Sequence, residues 1–237
     1  MAHFTVSNLH AHYSKGHVLQ GVDFEIARGE IACILGRNGS GRSTTLKALM
    51  GIVAPTAGTG TLDGQDFFGL APDKISRMGI AYVPEDRQVF ANLSVLENLN
   101  VGLQSPRAGC HTWSLEDMYN YFPRLKERRQ QKAGTLSGGE QQMLTMCRSL
   151  LGNPKLILID EPTEGLAPLI VEALREVLID ISRKRVTVLL VEQKLALALK
   201  ISQKVLVMGH GHIVFTGTVP EFKSRTDVRQ KWLDVSS

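Results

Sequence analysis

Nine consecutive residues, Gly36-Arg37-Asn38-Gly39-Ser40-Gly41-Arg42-Ser43-Thr44, constrain the fold more than any other part of the chain. They follow Ile31-Ala32-Cys33-Ile34-Leu35, a continuous apolar run suited to a strand buried on both faces. They precede a predicted helix from about Ser43 to Met50, ended by Gly51 and Pro55. A glycine-rich loop between a buried strand and a helix is the setting of a phosphate-binding loop. Its glycines let backbone N–H groups turn inward around phosphate oxygens, and the helix N-terminus adds positive potential. Ser43 is placed to offer its hydroxyl to Mg²⁺. A plain glycine-rich turn is the alternative. The motif has Lys before the Ser/Thr pair, and this chain has Arg42, which keeps the charge on a bulkier planar fork. Nucleotide binding is expected to survive that change and hydrolysis to slow.

A second acidic signal fits the first. Leu156-Ile157-Leu158-Ile159-Asp160-Glu161 is an apolar strand pattern ending in two carboxylates. In a parallel sheet, the carboxyl ends of strands face the ligand crevice. There Asp160 would hold Mg²⁺, and Glu161 would orient or deprotonate the attacking water. The alternative is a strand ending in solvated acids. Around these motifs, residues 3–27 read as strands, with Val22, Phe24 and Ile26 alternating against Asp23 and Glu25. Gly79–Val83 reads as a short buried strand stopped by Pro84. Residues from about 93 to 152 read as a helical insert, closed by a long helix over Ser137–Leu151. Then come a strand at Leu156–Ile159, a helix at Pro168–Ser182, a strand at Val186–Val191, a helix at Leu195–Ile201 and a strand at Val205–Met208. His210-Gly211 turns into Ile213–Phe215. This alternation predicts an α/β chain with a mainly parallel sheet, antiparallel N-terminal strands and a helical subdomain inserted in one domain over residues 1–237.

Composition narrows the class. With 43% hydrophobic and 21% charged residues, the chain reads as globular and not disordered. Lys plus Arg is 27 against 23 acids, and no basic stripe with interleaved aromatics points to nucleic acid. The uncharged stretches Ala48–Leu62 and Val205–Pro220 are broken by glycine and proline and fall short of the roughly 20 apolar residues of a membrane span. Met1–Val6 has no secretory pattern. Cys33, Cys110 and Cys147 suggest neither a disulfide framework nor a zinc site. A cytoplasmic location is expected.

Between the two motifs stands Leu136-Ser137-Gly138-Gly139-Glu140-Gln141-Gln142. In this order and spacing, the three motifs resemble the ATP-binding-cassette (ABC) ATPases over nearly the whole chain. The resemblance implies ATP and Mg²⁺ as cofactors. It also implies that Ser137, Gly138, Gly139 and Glu140 reach the γ-phosphate of ATP held by a second ATPase subunit, identical or not, in a head-to-tail dimer. Tyr13 matches the aromatic residue that stacks on adenine; a core tyrosine is the alternative. Glu85 takes the position of the family's coupling-loop glutamine, a candidate for both the catalytic site and the Mg²⁺ shell. Gln193 replaces the switch histidine, and Ala167 replaces the Asp that usually ends the loop after the acidic pair.

These departures form a pattern. Pro84-Glu85-Asp86-Arg87, Gly165-Leu166-Ala167-Pro168 and Val191-Glu192-Gln193 together resemble the branch of bacterial branched-chain amino-acid importers. The run Phe122–Arg129 is similar to the same branch, or is a solvated basic helix face. Arg42 is unusual even there. The resemblance implies a subunit peripheral on the inner face of the membrane. Its partners would be two integral permease subunits and, indirectly, a periplasmic binding protein. Two other readings are a weakly hydrolysing regulatory subunit, favoured by Arg42, and a non-transport cassette ATPase acting on nucleic acid or ribosomes. The single cassette and the lack of sustained heptads disfavour the last.

Overall fold

A computed structural model describes residues 3–13 and 16–233. In chain order the elements begin with β1 (Phe4–Tyr13), β2 (Gly16–Ile26), β3 (Ile31–Gly36), α1 (Arg42–Leu49), β4 (Pro55–Leu62), β5 (Gln65–Asp66), α2 (Pro72–Met78) and β6 (Ile80–Val83). A helical stretch follows, with α3 (Val95–Gly102), α4 (Leu115–Tyr121), α5 (Pro123–Glu127) and α6 (Gly138–Leu150). The chain then runs through β7 (Leu156–Asp160), α7 (Pro168–Arg183), β8 (Thr187–Val191), α8 (Leu195–Ile201), β9 (Lys204–Gly209), β10 (His212–Thr218), α9 (Val219–Ser224) and α10 (Thr226–Trp232).

Two sheets form. The larger has the order β10-β9-β3-β8-β7-β6, parallel except for the β9–β10 hairpin. The smaller is antiparallel, in the order β2-β1-β4-β5. The expected mainly parallel sheet with antiparallel N-terminal strands is thus the architecture observed. Strand alternation places the core. Ala32 and Ile34 of β3, Leu156 and Leu158 of β7, and Leu189 and Val191 of β8 face the smaller sheet, joining Phe4, Leu19 and Leu46. Their neighbours Cys33, Ile157, Ile159, Val188 and Leu190 face the other way, onto α6, α7 and α8. Both faces are buried, as continuous apolar strands require.

Periodicity marks no element in residues 55–78, yet they form β4, β5 and α2. β4 carries Gly58 and Gly60, which lower strand propensity. At Gly60 a side chain would collide with the rings of Phe67 and Phe68, and at Gly58 with the backbone of Asn8. The glycines are there because neighbours approach closely, and pairing with β1 outweighs propensity. Helix α7 buries Leu174, Val177, Leu178 and Ile181, the face expected of it, while Ile170 is only half-buried. Between β6 and β7 every named element is a helix or a short 3₁₀ turn.

Four helices carry reciprocal caps, at Ser94, Ser114, Ser137 and Thr218, each with an acid three residues on. Such caps contribute about 1 kcal/mol each. Helix α1 has none: its N-cap is Gly41, and its first turn holds no acid.

Candidate active site

That uncapped end faces the crevice at the carboxyl ends of β3 and β7. Gly36 has no room for a side chain, which would collide with the Met208 carbonyl and the Ser40 hydroxyl. Gly39 and Gly41 adopt positive φ, +78° and +110°, conformations that glycine takes without steric cost. The first helical bond runs from the Thr45 N–H to the Gly41 carbonyl, so the N–H groups ahead of it lack intrahelical partners. The Ser40 hydroxyl is buried with no partner. Uncapped N–H groups, a spare hydroxyl and no nearby acid in the first turn suit a phosphate.

Ser43 and Asp160 meet: the Ser43 hydroxyl donates to Asp160 Oδ1 at 2.9 Å. The Tyr82 hydroxyl donates to Asp160 Oδ2 at 3.2 Å. Burial raises the Asp160 pKa above the usual carboxylate value, while the bonds from Ser43 and Tyr82 and the charges of Lys47 and Arg42 work against it. A hydroxyl and a carboxylate side by side are hard oxygen donors, the set that fits Mg²⁺.

Glu161 sits one residue further, 7% exposed and at φ +43°, a strained conformation for a non-glycine residue. Its N–H donates to the Val191 carbonyl at 3.0 Å. Its carboxylate is held from two sides. Arg42 Nη2 donates to Oε1 at 2.9 Å, and Gln193 Nε2 donates to Oε2. Burial raises the Glu161 pKa, and Arg42 and Gln193 oppose the rise. Arg42, 5% exposed, also donates to Asn38 Oδ1 at 3.1 Å and to the Glu192 carbonyl at 3.3 Å. The sequence suggests a residue reaching only for phosphates. The fold shows its guanidinium paired with the carboxylate expected to activate water.

Glu85 comes to the same place. Carboxylate oxygens of Glu85, Glu161 and Glu164 lie within 4.8 Å of one another. Burial first, then Glu164 and Asp160, raise the Glu85 pKa. Tyr13 is 46% exposed, which excludes the core-tyrosine alternative. It lines a cleft of about 460 Å³ together with Lys47, Tyr82, Glu85 and Asp160. Arg37 and Asn38 line another cleft, with Glu192 and Gln193.

The signature residues are placed otherwise. Ser137 caps α6, and its hydroxyl and N–H both donate to Glu140 Oε2, at 2.8 and 2.9 Å. Arg128 pairs with Glu140 at 3.1 Å. The guanidinium of Arg87 lies where a side chain on Gly138 would stand, and Gly139 faces Ile170 and Leu166. Ser137 and Glu140 thus bond to each other and to Arg128, whereas Arg42 and Ser43 of the loop bond to Asn38, Glu192, Glu161 and Asp160. The basic run beside the signature is an exposed helix face with its own acid partners, Arg124 with Glu127 and Lys126 with Glu116.

Two residues that sequence reading did not single out belong to this site: Tyr82, bonded to Asp160, and Glu192, buried beside Arg42. The signal for Tyr82 was its alternation with Ile80 on a short strand ending at the crevice. Glu192 stands in the Val191-Glu192-Gln193 motif, but nothing local to it gives that carboxylate a role in the site.

Residues 19–164 match the ABC transporter family. The chain is 40% identical over 222 residues to the high-affinity branched-chain amino acid transport ATP-binding protein BraG of Pseudomonas aeruginosa, covering 94% of this chain and 95% of that one. It is 30% identical over 236 residues to the lipopolysaccharide export system ATP-binding protein LptB of Escherichia coli K12, covering 98% of each. A crystal structure of a nucleotide-free ATP-binding cassette from an ABC transporter superimposes with a TM-score of 0.85 over 100% of both chains at 24% identity, which establishes the shared fold. With its phosphate loop, acidic strand end and signature in one α/β cassette, the chain belongs to the ABC transporter family as an ATP-hydrolysing, ATP-binding subunit.

Proposed function

We propose that this subunit powers import of branched-chain amino acids or closely related small solutes. The 40% identity to BraG, set against 30% to LptB, carries the reading. The departures at Glu85, Ala167 and Gln193 support it, because they match the same branch. In this reading the signature of one subunit completes the nucleotide site of a second, identical or different. The match of Leu136–Gln142 to the family's signature supports such a dimer. The ATPase pair would sit on the inner face of the membrane against two permease subunits, with a periplasmic binding protein delivering cargo. No helix among the described residues is long and apolar enough to cross a membrane itself.

The chain's residues divide the work. Loop N–H groups and Arg42 hold the phosphates, Tyr13 stacks on the base, and Glu161 takes the proton of the attacking water while Gln193 orients it. Ser43 and Asp160 would hold Mg²⁺, which neutralises charge on the phosphate oxygens. Glu85 joins this site to the surface that meets the permease.

Deleting the gene should abolish high-affinity uptake of labelled leucine and isoleucine, and the wild-type gene should restore it. Unchanged uptake together with a defect in lipopolysaccharide delivery would favour an exporter like the one LptB serves. In reconstituted vesicles, Glu85→Ala should lower transport roughly tenfold while the isolated subunit keeps most of its ATPase activity, since Glu85 borders Glu161 without bonding to it. Equal loss of both activities would remove Glu85 from a coupling role.

A further inference from the structure

Glu192 is a buried carboxylate, 2% exposed, that the hydrolysis described above does not use. Its Oε1 accepts the backbone N–H groups of Gln193 at 3.0 Å and Lys194 at 3.1 Å. Its Oε2 accepts the Thr163 hydroxyl at 2.8 Å. Thr163, 1% exposed, lies in the loop after β7, two residues beyond Glu161. A return contact runs from Lys194 Nζ to the Thr163 carbonyl at 3.0 Å. The loops that follow β7 and β8 are therefore fastened in both directions.

Burying a carboxylate costs several kcal/mol unless donors replace water. Here three donors do so, from two separate loops, and each is strengthened by the charge it meets. The geometry they enforce centres on Glu161. Val191 accepts the Glu161 N–H, Glu192 pins the backbone of Gln193, and the Gln193 side chain donates to the Glu161 carboxylate. A free glutamine side chain has several rotamers. Fixing its backbone N–H limits which of them reach Glu161.

We infer that Glu192 is a positioning residue for ATP hydrolysis: together with Thr163 it sets the register between Gln193 and Glu161 without touching nucleotide. The inference rests on the reading of Glu161 and Gln193 as the water-handling pair.

Steady-state ATPase kinetics of the full chain test it, using Glu192→Ala, Glu192→Gln, Thr163→Val, Gln193→Ala and the double variant Glu192→Ala/Gln193→Ala. Glu192→Ala should lower kcat about tenfold or more with KM for ATP within about twofold, because misplacement affects the transition state more than binding. Glu192→Gln should recover most of the rate, since its amide oxygen still accepts both N–H groups. Thr163→Val, nearly isosteric, should lower kcat several-fold, and it serves as the test if the alanine variant does not fold. In the Gln193→Ala background, Glu192→Ala should cost less than about twofold more, as expected of residues acting through one another. Multiplicative losses in the two backgrounds, or wild-type kcat in both Glu192→Ala and Thr163→Val, would overturn the inference. Wild-type kcat in Gln193→Ala would instead overturn the reading it rests on.

Discussion

Replacing Glu161 with glutamine is expected to abolish ATP turnover and leave ATP binding intact. The amide keeps the size of the carboxylate but cannot take a proton, and a positioned general base contributes roughly 10²–10⁴-fold to rate. Burial has already raised the Glu161 pKa, the direction that makes its carboxylate a better base. A second consequence follows from Arg42. At 5% exposure the guanidinium would lose its ion pair with Glu161, the one it makes among the described residues, and keep the Asn38 and Glu192 oxygens. A buried charge stripped of its partner is destabilising by about 3–5 kcal/mol. Phosphates at the loop can replace the lost carboxylate, so ATP should stabilise Glu161→Gln more than it stabilises wild type. Thermal melts with and without ATP should show the larger shift in the variant. Size-exclusion with ATP and Mg²⁺ should show more dimer. Turnover at the wild-type rate would end the assignment of Glu161.

Restoring Arg42→Lys is expected to raise turnover by roughly tenfold or more with little change in ATP affinity. Arg42 now contacts Glu161, Asn38 and the Glu192 carbonyl at once, which a planar fork with several donors can do. The arrangement ties up one oxygen of the carboxylate that should handle water. Its charge also lowers the proton affinity that burial had raised. Lysine presents its donors on one compact ammonium nitrogen, which does not reach as widely separated acceptors as the planar guanidinium fork. It keeps the charge the phosphates need and releases Glu161. Pre-steady-state and steady-state ATPase rates with a parallel nucleotide titration separate the two quantities. If Arg42→Lys leaves turnover unchanged or lowers it, the loop has adapted to arginine and the restraint on Glu161 has no kinetic weight.

The phosphate loop and the acidic strand end were readable because their chemistry is local. A glycine pattern after an apolar strand, or two acids at a strand end, carries its meaning within about ten residues, and parallel topology brings such ends to one crevice. The helices with regular apolar spacing were readable for the same reason. Residues 55–78 were not. Their strand exists through pairing with β1, and its glycines are explained by Phe67, Phe68 and Asn8, which no periodicity reveals. The alternation of residues 3–27 did set β1 and β2 apart from the continuous apolar run of β3, but that β4 and β5 join them was not readable, because sheet membership depends on partners far along the chain.

The same division runs through the site. Residue order by itself determined the family, the nucleotide loop and the candidate roles of Ser43, Asp160 and Glu161, since each follows from residue type and short spacing. It also showed that Arg42 departs from lysine. Only the tertiary structure decided what Arg42 holds, because Glu161 lies 119 residues away in the chain and 2.9 Å away in space. Only the fold joined Glu192 to Thr163 and paired Arg128 with Glu140. Hydrogen bonds and ion pairs act over about 3 Å, and which groups come that close is settled when distant strands pair, not by the sequence around either partner.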